Sequence, residues 1–96
     1  LYTDDETLAA DLLAAAQRVH DPLWRMPLWA GYRPAIDSEM ADIRNDSAGW
    51  AQGGSITAAL FLQAFAPTTG AWAHMDIFAW NPCNRPGWPE GGEAQG

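Results

Sequence analysis

Ninety-six residues carry a net charge of −7, with five arginines, no lysine and twelve acidic residues, which leaves no basic footprint for phosphate contacts and excludes nucleic acid as a partner. No apolar run approaches the ~18 residues a membrane helix needs, and the single cysteine, Cys83, can form neither an internal disulfide nor a thiolate metal cluster. A chain this short buries only about 60 to 65% of its unfolded surface, so an apolar content of 48% with six tryptophans predicts part of a larger cytoplasmic domain, not a free-standing one. Leu1-Tyr2 is no charged signal-peptide start, which predicts a processed chain or one that begins further upstream.

Thr3-Asp4-Asp5-Glu6 has the form of a capping box, with the Thr3 hydroxyl accepting from the Glu6 amide and the Glu6 carboxylate returning to the Thr3 amide. A helix is predicted over residues 4–19. Leu8, Leu12, Ala15 and Val19 share one face, Arg18 and His20 suit the negative end of the dipole, and Pro22 ends the element. The acids of the first turn read as a solvated helix start, not a metal cluster. Residues 23–28, bracketed by Pro22 and Pro27, predict an edge or connecting strand. Residues 32–38 predict a short helix with Pro34 in its first turn. Residues 41–45 predict a strand that enters the loop 46–53.

The stretch from Ser55 to Ala66 has strong polarity only at Ser55, Thr57 and Gln63, which predicts a core helix buried on nearly every side. Pro67 to Gly70 break it, and residues 72–78, apolar and aromatic apart from His74 and Asp76, predict a buried strand. Helix, turn and strand make half of an alternating α/β unit, so the expected architecture is a small sheet, centred on residues 72–78, carrying the helices 54–66 and 4–19. Residues 81–96 hold Pro82, Pro86, Pro89 and four glycines, a density of breakers that predicts an irregular loop. Trp50, Trp80 and Trp88 fall in predicted loops with nothing of their own to pack against, which predicts association with other protein.

His74 and Asp76 lie two apart and so share a face of the predicted strand. Two ligands are too few for a catalytic metal, and a hydrogen-bonded structural pair is the better reading. His20-Asp21 sits where the helix dipole alone favours a histidine. Gly53-Gly54-Ser55 opens a helix whose amides suit an anion, but without a lysine there is no phosphate loop, and the glycines read as a tight turn packed closely on the sheet. Cys83 has no base near it in the sequence to activate it.

GGSITAALFL at residues 53–62 followed by WAHMDI at 72–77, together with DPLWRMPL at 21–28 and ADIRN at 41–45, resembles the C-terminal portion of the catalytic domain of the leucyl aminopeptidase (cytosol aminopeptidase) family. The motifs stand in the family's order over almost the whole of residues 1–96. The resemblance implies a fold in which a mixed sheet is covered by helices on both faces, and a final helix beyond the residues present here. It implies release of N-terminal amino acids from peptides by two divalent ions, zinc or manganese, held by a lysine and carboxylates. Many of those ligands belong to an Asn-Thr-Asp-Ala-Glu-Gly-Arg motif that does not occur in this sequence. The expectation is therefore a portion without catalytic or metal-binding residues, inactive alone, that shapes the pocket for the substrate's N-terminal side chain.

By motif position the resemblance gives that pocket Asn45, Asp46, Ser47, Phe78 and Ala79. The loop after Asn45 is longer than is common in the family, and Phe78 replaces a frequent alanine, so the pocket should be smaller or reshaped; packing of Phe78 into the core is the competing reading. The implied partners are peptide substrates, the remainder of the catalytic domain, and further copies of the chain, since the family forms hexamers. The alternative function is a non-enzymatic interaction or assembly module on the same scaffold.

Overall fold

The computed structural model describes residues 1–40, 42–45, 53–87 and 89–92. Its first element is helix α1, Glu6–Val19. The cap is Asp5, whose carboxylate accepts from the Leu8 amide at 2.9 Å, and not the predicted box of Thr3 and Glu6. Both members of that box are engaged elsewhere. The buried Thr3 hydroxyl donates to the Trp72 carbonyl at 2.7 Å and accepts from the Asp5 amide, while the Glu6 carboxylate takes two hydrogen bonds from the Arg25 guanidinium, at 2.5 and 2.7 Å. At the other end His20 turns left-handed, φ 59°, and the Asp21 amide reaches back to the Ala16 carbonyl, which satisfies carbonyls the helix leaves open. Ala9 and Ala16 are buried, Leu8, Leu12 and Ala15 half-buried, and Val19 is exposed, so the predicted face is the inward one over its first three turns.

Residues 21–29 form no regular element, and the predicted segment 23–28 connects without becoming a strand. Two backbone hydrogen bonds hold it to Leu1, which donates to the Trp24 carbonyl and accepts from the Met26 amide. The short helix expected over 32–38 is a 3-10 helix over Ala30–Ile36. Its i to i+3 bonds, Tyr32 amide to Trp29 carbonyl and Asp37 amide to Pro34 carbonyl, leave Pro34 inside the element without asking its nitrogen for a proton. The strand expected over 41–45 is not formed in its described part, 42–45; the Arg44 amide there donates to the Ile36 carbonyl.

Helix α2, Gly54–Gln63, packs on the 3-10 helix. Beyond Gln63 the amides of Ala64, Phe65 and Ala66 bond three residues back, so the predicted end at Ala66 survives as tightened turns. All-round burial does not. Thr57, Ala59 and Leu60 are buried, whereas Leu62 and Phe65 are exposed: a helix apolar on every side meets partners on one side only. The glycines before it pack closely, as expected, but against a different element: Gly53, at φ +69°, lies under the Tyr32 ring of the 3-10 helix and not against a sheet.

The architecture is α/β, with a smaller sheet in another place than expected. Residues 72–78 form one antiparallel rung, Tyr2 with His74, closed by bonds of 2.8 and 2.9 Å. Met75, Ile77 and Phe78 are exposed, which corrects the expectation of a buried central strand. A strand is central only when it has neighbours on both edges, and Tyr2 supplies one rung on one edge. The paired strands among the described residues are β1, Trp80–Asn81, and β2, Gly91–Gly92, antiparallel, with Trp80 opposite Gly92. They fall in the stretch predicted to be irregular. The Asn81 side-chain Nδ2 donates to the Pro89 carbonyl and the Asn84 side chain accepts from the Glu90 amide, contacts that close the loop despite its breakers. The radius of gyration is 15.8 Å, above the ~13 Å of a compact domain of this size, as an open arrangement requires.

Candidate substrate pocket

One of the two largest fully buried side chains among the described residues is the hub of the fold: Tyr2, 1% exposed. Its backbone pairs with His74, its ring stacks on the His74 imidazole with centroids 5.8 Å apart, and its hydroxyl meets the Ser55 hydroxyl at 2.5 Å. Three separate pieces of chain therefore converge on one residue: the extended N-terminal stretch, residues 72–78 and the first turn of α2. His74 is thus a structural residue, and the exposed Asp76 is not its hydrogen-bonded partner among the contacts described. No group of three or more His, Cys, Asp and Glu stands together as metal ligands among the described residues.

Around this hub lie two cavities that concern the expected pocket. The first, about 280 Å³, is lined by Ile36, Asn45, Gly54, Thr57 and Phe61. The second is a groove of about 580 Å³ between Tyr2, Ser55, Trp24, Met26 and the run from Met75 to Phe78. Asn45 thus borders one and Phe78 the other. The consecutive residues Gly54 and Ser55 form a wall of each, so the start of α2 is the partition between them. Phe78 is 81% exposed, so the described residues of this chain do not bury it. Ala79 is half-buried in a left-handed turn, φ 52°, and leads from the groove into β1. Asp46 and Ser47 lie outside the described residues.

The polar lining of the groove includes the Tyr2 and Ser55 hydroxyls and the Asp76 carboxylate. Trp24, Met26, Met75, Tyr2 and Ser55 are wall residues that sequence reasoning did not single out. The signal available for them was weak, because none belongs to a catalytic motif and the fold alone brings residues 2, 24, 55 and 75 together.

The family model whose description is "Cytosol aminopeptidase family, catalytic domain" matches residues 1–96. The chain is thus a segment of an α/β peptidase catalytic domain. Probable cytosol aminopeptidases of Prochlorococcus marinus (strain MIT 9313) and Allorhizobium ampelinum are 48% and 49% identical over 77 residues, which is 80% of this chain and 15% of each relative. Among solved structures, the cytosol aminopeptidase of Coxiella burnetii superposes with a TM-score of 0.87 at 49% identity, over 96% of this chain and 20% of that one. The bottromycin maturation enzyme BotP, solved in complex with Mn, gives 0.85 at 40% identity over 94% of this chain and 20% of its own. The chain belongs to the cytosol aminopeptidase family, and spans about one-seventh of the length of the curated relatives it matches.

Proposed function

We propose that this chain is a portion of a metal-dependent aminopeptidase that releases N-terminal amino acids from peptides, and that its part is to wall the pocket for the substrate's first side chain. The observation that carries this reading is the match of the family's catalytic domain to every residue from 1 to 96, with a TM-score of 0.87 to a cytosol aminopeptidase at 49% identity. In this reading the metal ligands lie outside this chain; among its described residues no group of three or more His, Cys, Asp and Glu stands together. Two divalent ions, zinc or manganese, belong to the remainder of the domain, and no chemical step is derived through them. The manganese complex of a related enzyme supports the metal dependence. The setting is the cytoplasm and the assembly a homo-oligomer, a hexamer as in the family.

The residues of this chain bind and select. In this reading Asn45, Asp46, Ser47, Phe78 and Ala79 belong to the pocket, and Phe78, which borders the groove, sets its size. In the complete enzyme, Phe78→Ala enlarges the pocket, and the ratio of kcat/KM for large over small N-terminal residues rises about tenfold or more, the range expected when one apolar wall group changes. An unchanged ratio would place Phe78 outside the pocket. The pure 96-residue chain shows no turnover of an N-terminal leucine substrate with added zinc or manganese. Metal-dependent hydrolysis by that chain would overturn the division of labour proposed here.

A further inference from the structure

The groove that Phe78 borders has one polar device built into its apolar wall. Tyr2 and Ser55 lie 53 positions apart and both line the groove. Their hydroxyls form a short bond, so one donates and the other accepts. Tyr2 is fixed by more than that bond. Its two backbone hydrogen bonds to His74 and its ring stacked on the imidazole lock it to the segment that ends at Phe78. Ser55, in turn, sits in the first turn of α2, the partition between the two cavities. The hydroxyl pair therefore links that partition, through Tyr2, to the segment bearing Phe78.

Without the link, the first turn of α2 has other restraints, but they act from its far side. Gly53 packs under Tyr32, and the Thr57 hydroxyl bonds within the helix, to the Gly54 carbonyl. Neither reaches residues 72–78. Burial adds to the effect on the Tyr2 side, where a side chain 1% exposed has little solvent as an alternative partner, while Ser55 is half-buried.

We infer that the Tyr2–Ser55 hydroxyl pair positions the start of α2 against the Phe78 segment, and thereby sets the width of the groove and the size of side chain it admits. Tyr2 and Ser55 are positioning residues in this scheme, acting through the wall and not on the reacting atoms. The inference rests on the reading of Phe78 as a pocket residue and extends it to the residues that hold the pocket's shape.

The test uses the complete metal-loaded enzyme and four variants: Tyr2→Phe, Ser55→Ala, the two combined, and Phe78→Ala. Each single hydroxyl deletion shifts the ratio of kcat/KM between leucine and alanine N-terminal substrates about fivefold, the value of one hydrogen bond, and the shift falls on KM. Because both singles abolish the same bond, the double variant shifts no further than either one. Ser55→Thr, which keeps a hydroxyl, restores the parent ratio. A merely structural pair would lower the melting temperature and leave the substrate ratio where it was. That result, or additive shifts in the double variant, overturns the inference. If Phe78→Ala alters the ratio while the hydroxyl variants do not, the pocket reading stands and only the positioning role falls; if Phe78→Ala is also silent, both fall.

Discussion

Replacing Gly53 by alanine tests the packing of α2 at its most constrained point. Two separate costs arise. The backbone is left-handed, φ +69°, where a Cβ costs about 1 to 2 kcal/mol. The added Cβ would also stand 2.5 Å from Tyr32 Cε2 and 3.2 Å from Cδ2, and such crowding costs about 1 to 3 kcal/mol. The ring cannot swing aside freely, because it packs edge-on against Trp29 with centroids 4.8 Å apart. Loss of freedom in the unfolded chain returns only about 0.4 to 1 kcal/mol, so the net is a destabilisation of about 1 to 4.6 kcal/mol. Gly54 is the internal control. It lies in the helix, a Cβ there meets nothing within 4 Å, and Gly54→Ala should stabilise by about 0.5 to 1 kcal/mol. Urea unfolding of the 96-residue chain at sub-micromolar concentration, followed by tryptophan fluorescence, reads both as shifts in midpoint at constant slope. Equal midpoints for the two variants would refute the close approach of Tyr32 and, with it, the account of how α2 is seated.

The Arg25 hydrogen bonds, and then its charge, hold the Glu6 carboxyl below its ordinary value. A carboxyl depressed in the folded state contributes stability that is present above its unfolded value, about 4.3, and is lost as pH falls through the lower folded value. Unfolding of the parent should therefore steepen with acidity in that window relative to Glu6→Gln; parallel pH profiles would mean the pair is not formed. Association is the remaining expectation: with Trp24 83% exposed and Phe65, Phe78 and Trp80 open as well, light scattering should find the isolated chain oligomeric or aggregated at micromolar concentration. A well-behaved monomer would overturn the expectation of association.

What the sequence made legible was the local grammar of the helices. The apolar spacing of residues 8–16 gave the inward face of α1, Pro22 its limit, and Gly53 the left-handed entry to α2. The errors share a physical cause. The capping box at Thr3 and Glu6 satisfied every local rule, yet both side chains were claimed by partners 69 and 19 positions away, the Trp72 carbonyl and Arg25. A cap worth about 1 kcal/mol gives way when a neighbouring residue, Asp5, can cap while Thr3 and Glu6 make those longer-range bonds. The buried strand at 72–78 and the all-round burial of α2 failed for a different reason. Hydrophobic pattern reports the surroundings a segment is suited to, whereas burial requires that those surroundings be present.

The same distinction explains what could be read of the pocket. Asn45 and Phe78 came from motif position, and each does border a cavity. Motif position did not give the partition between them, because a wall is a property of two elements and a motif belongs to one. Tyr2 shows the limit most clearly: an aromatic residue in a short extended stretch, next to a threonine, carries no local sign that it will be buried, stacked on an imidazole and bonded to a serine 53 positions on. Only the pairing of Tyr2 with His74 brings its hydroxyl to Ser55, and that pairing is set by the register of the 72–78 segment. A shift of one residue there would turn Tyr2 outward and carry Phe78 to the opposite side. On the inference drawn above, the width of the groove depends on one backbone rung and one hydroxyl pair acting together, and neither can be read from the motif that carries Phe78.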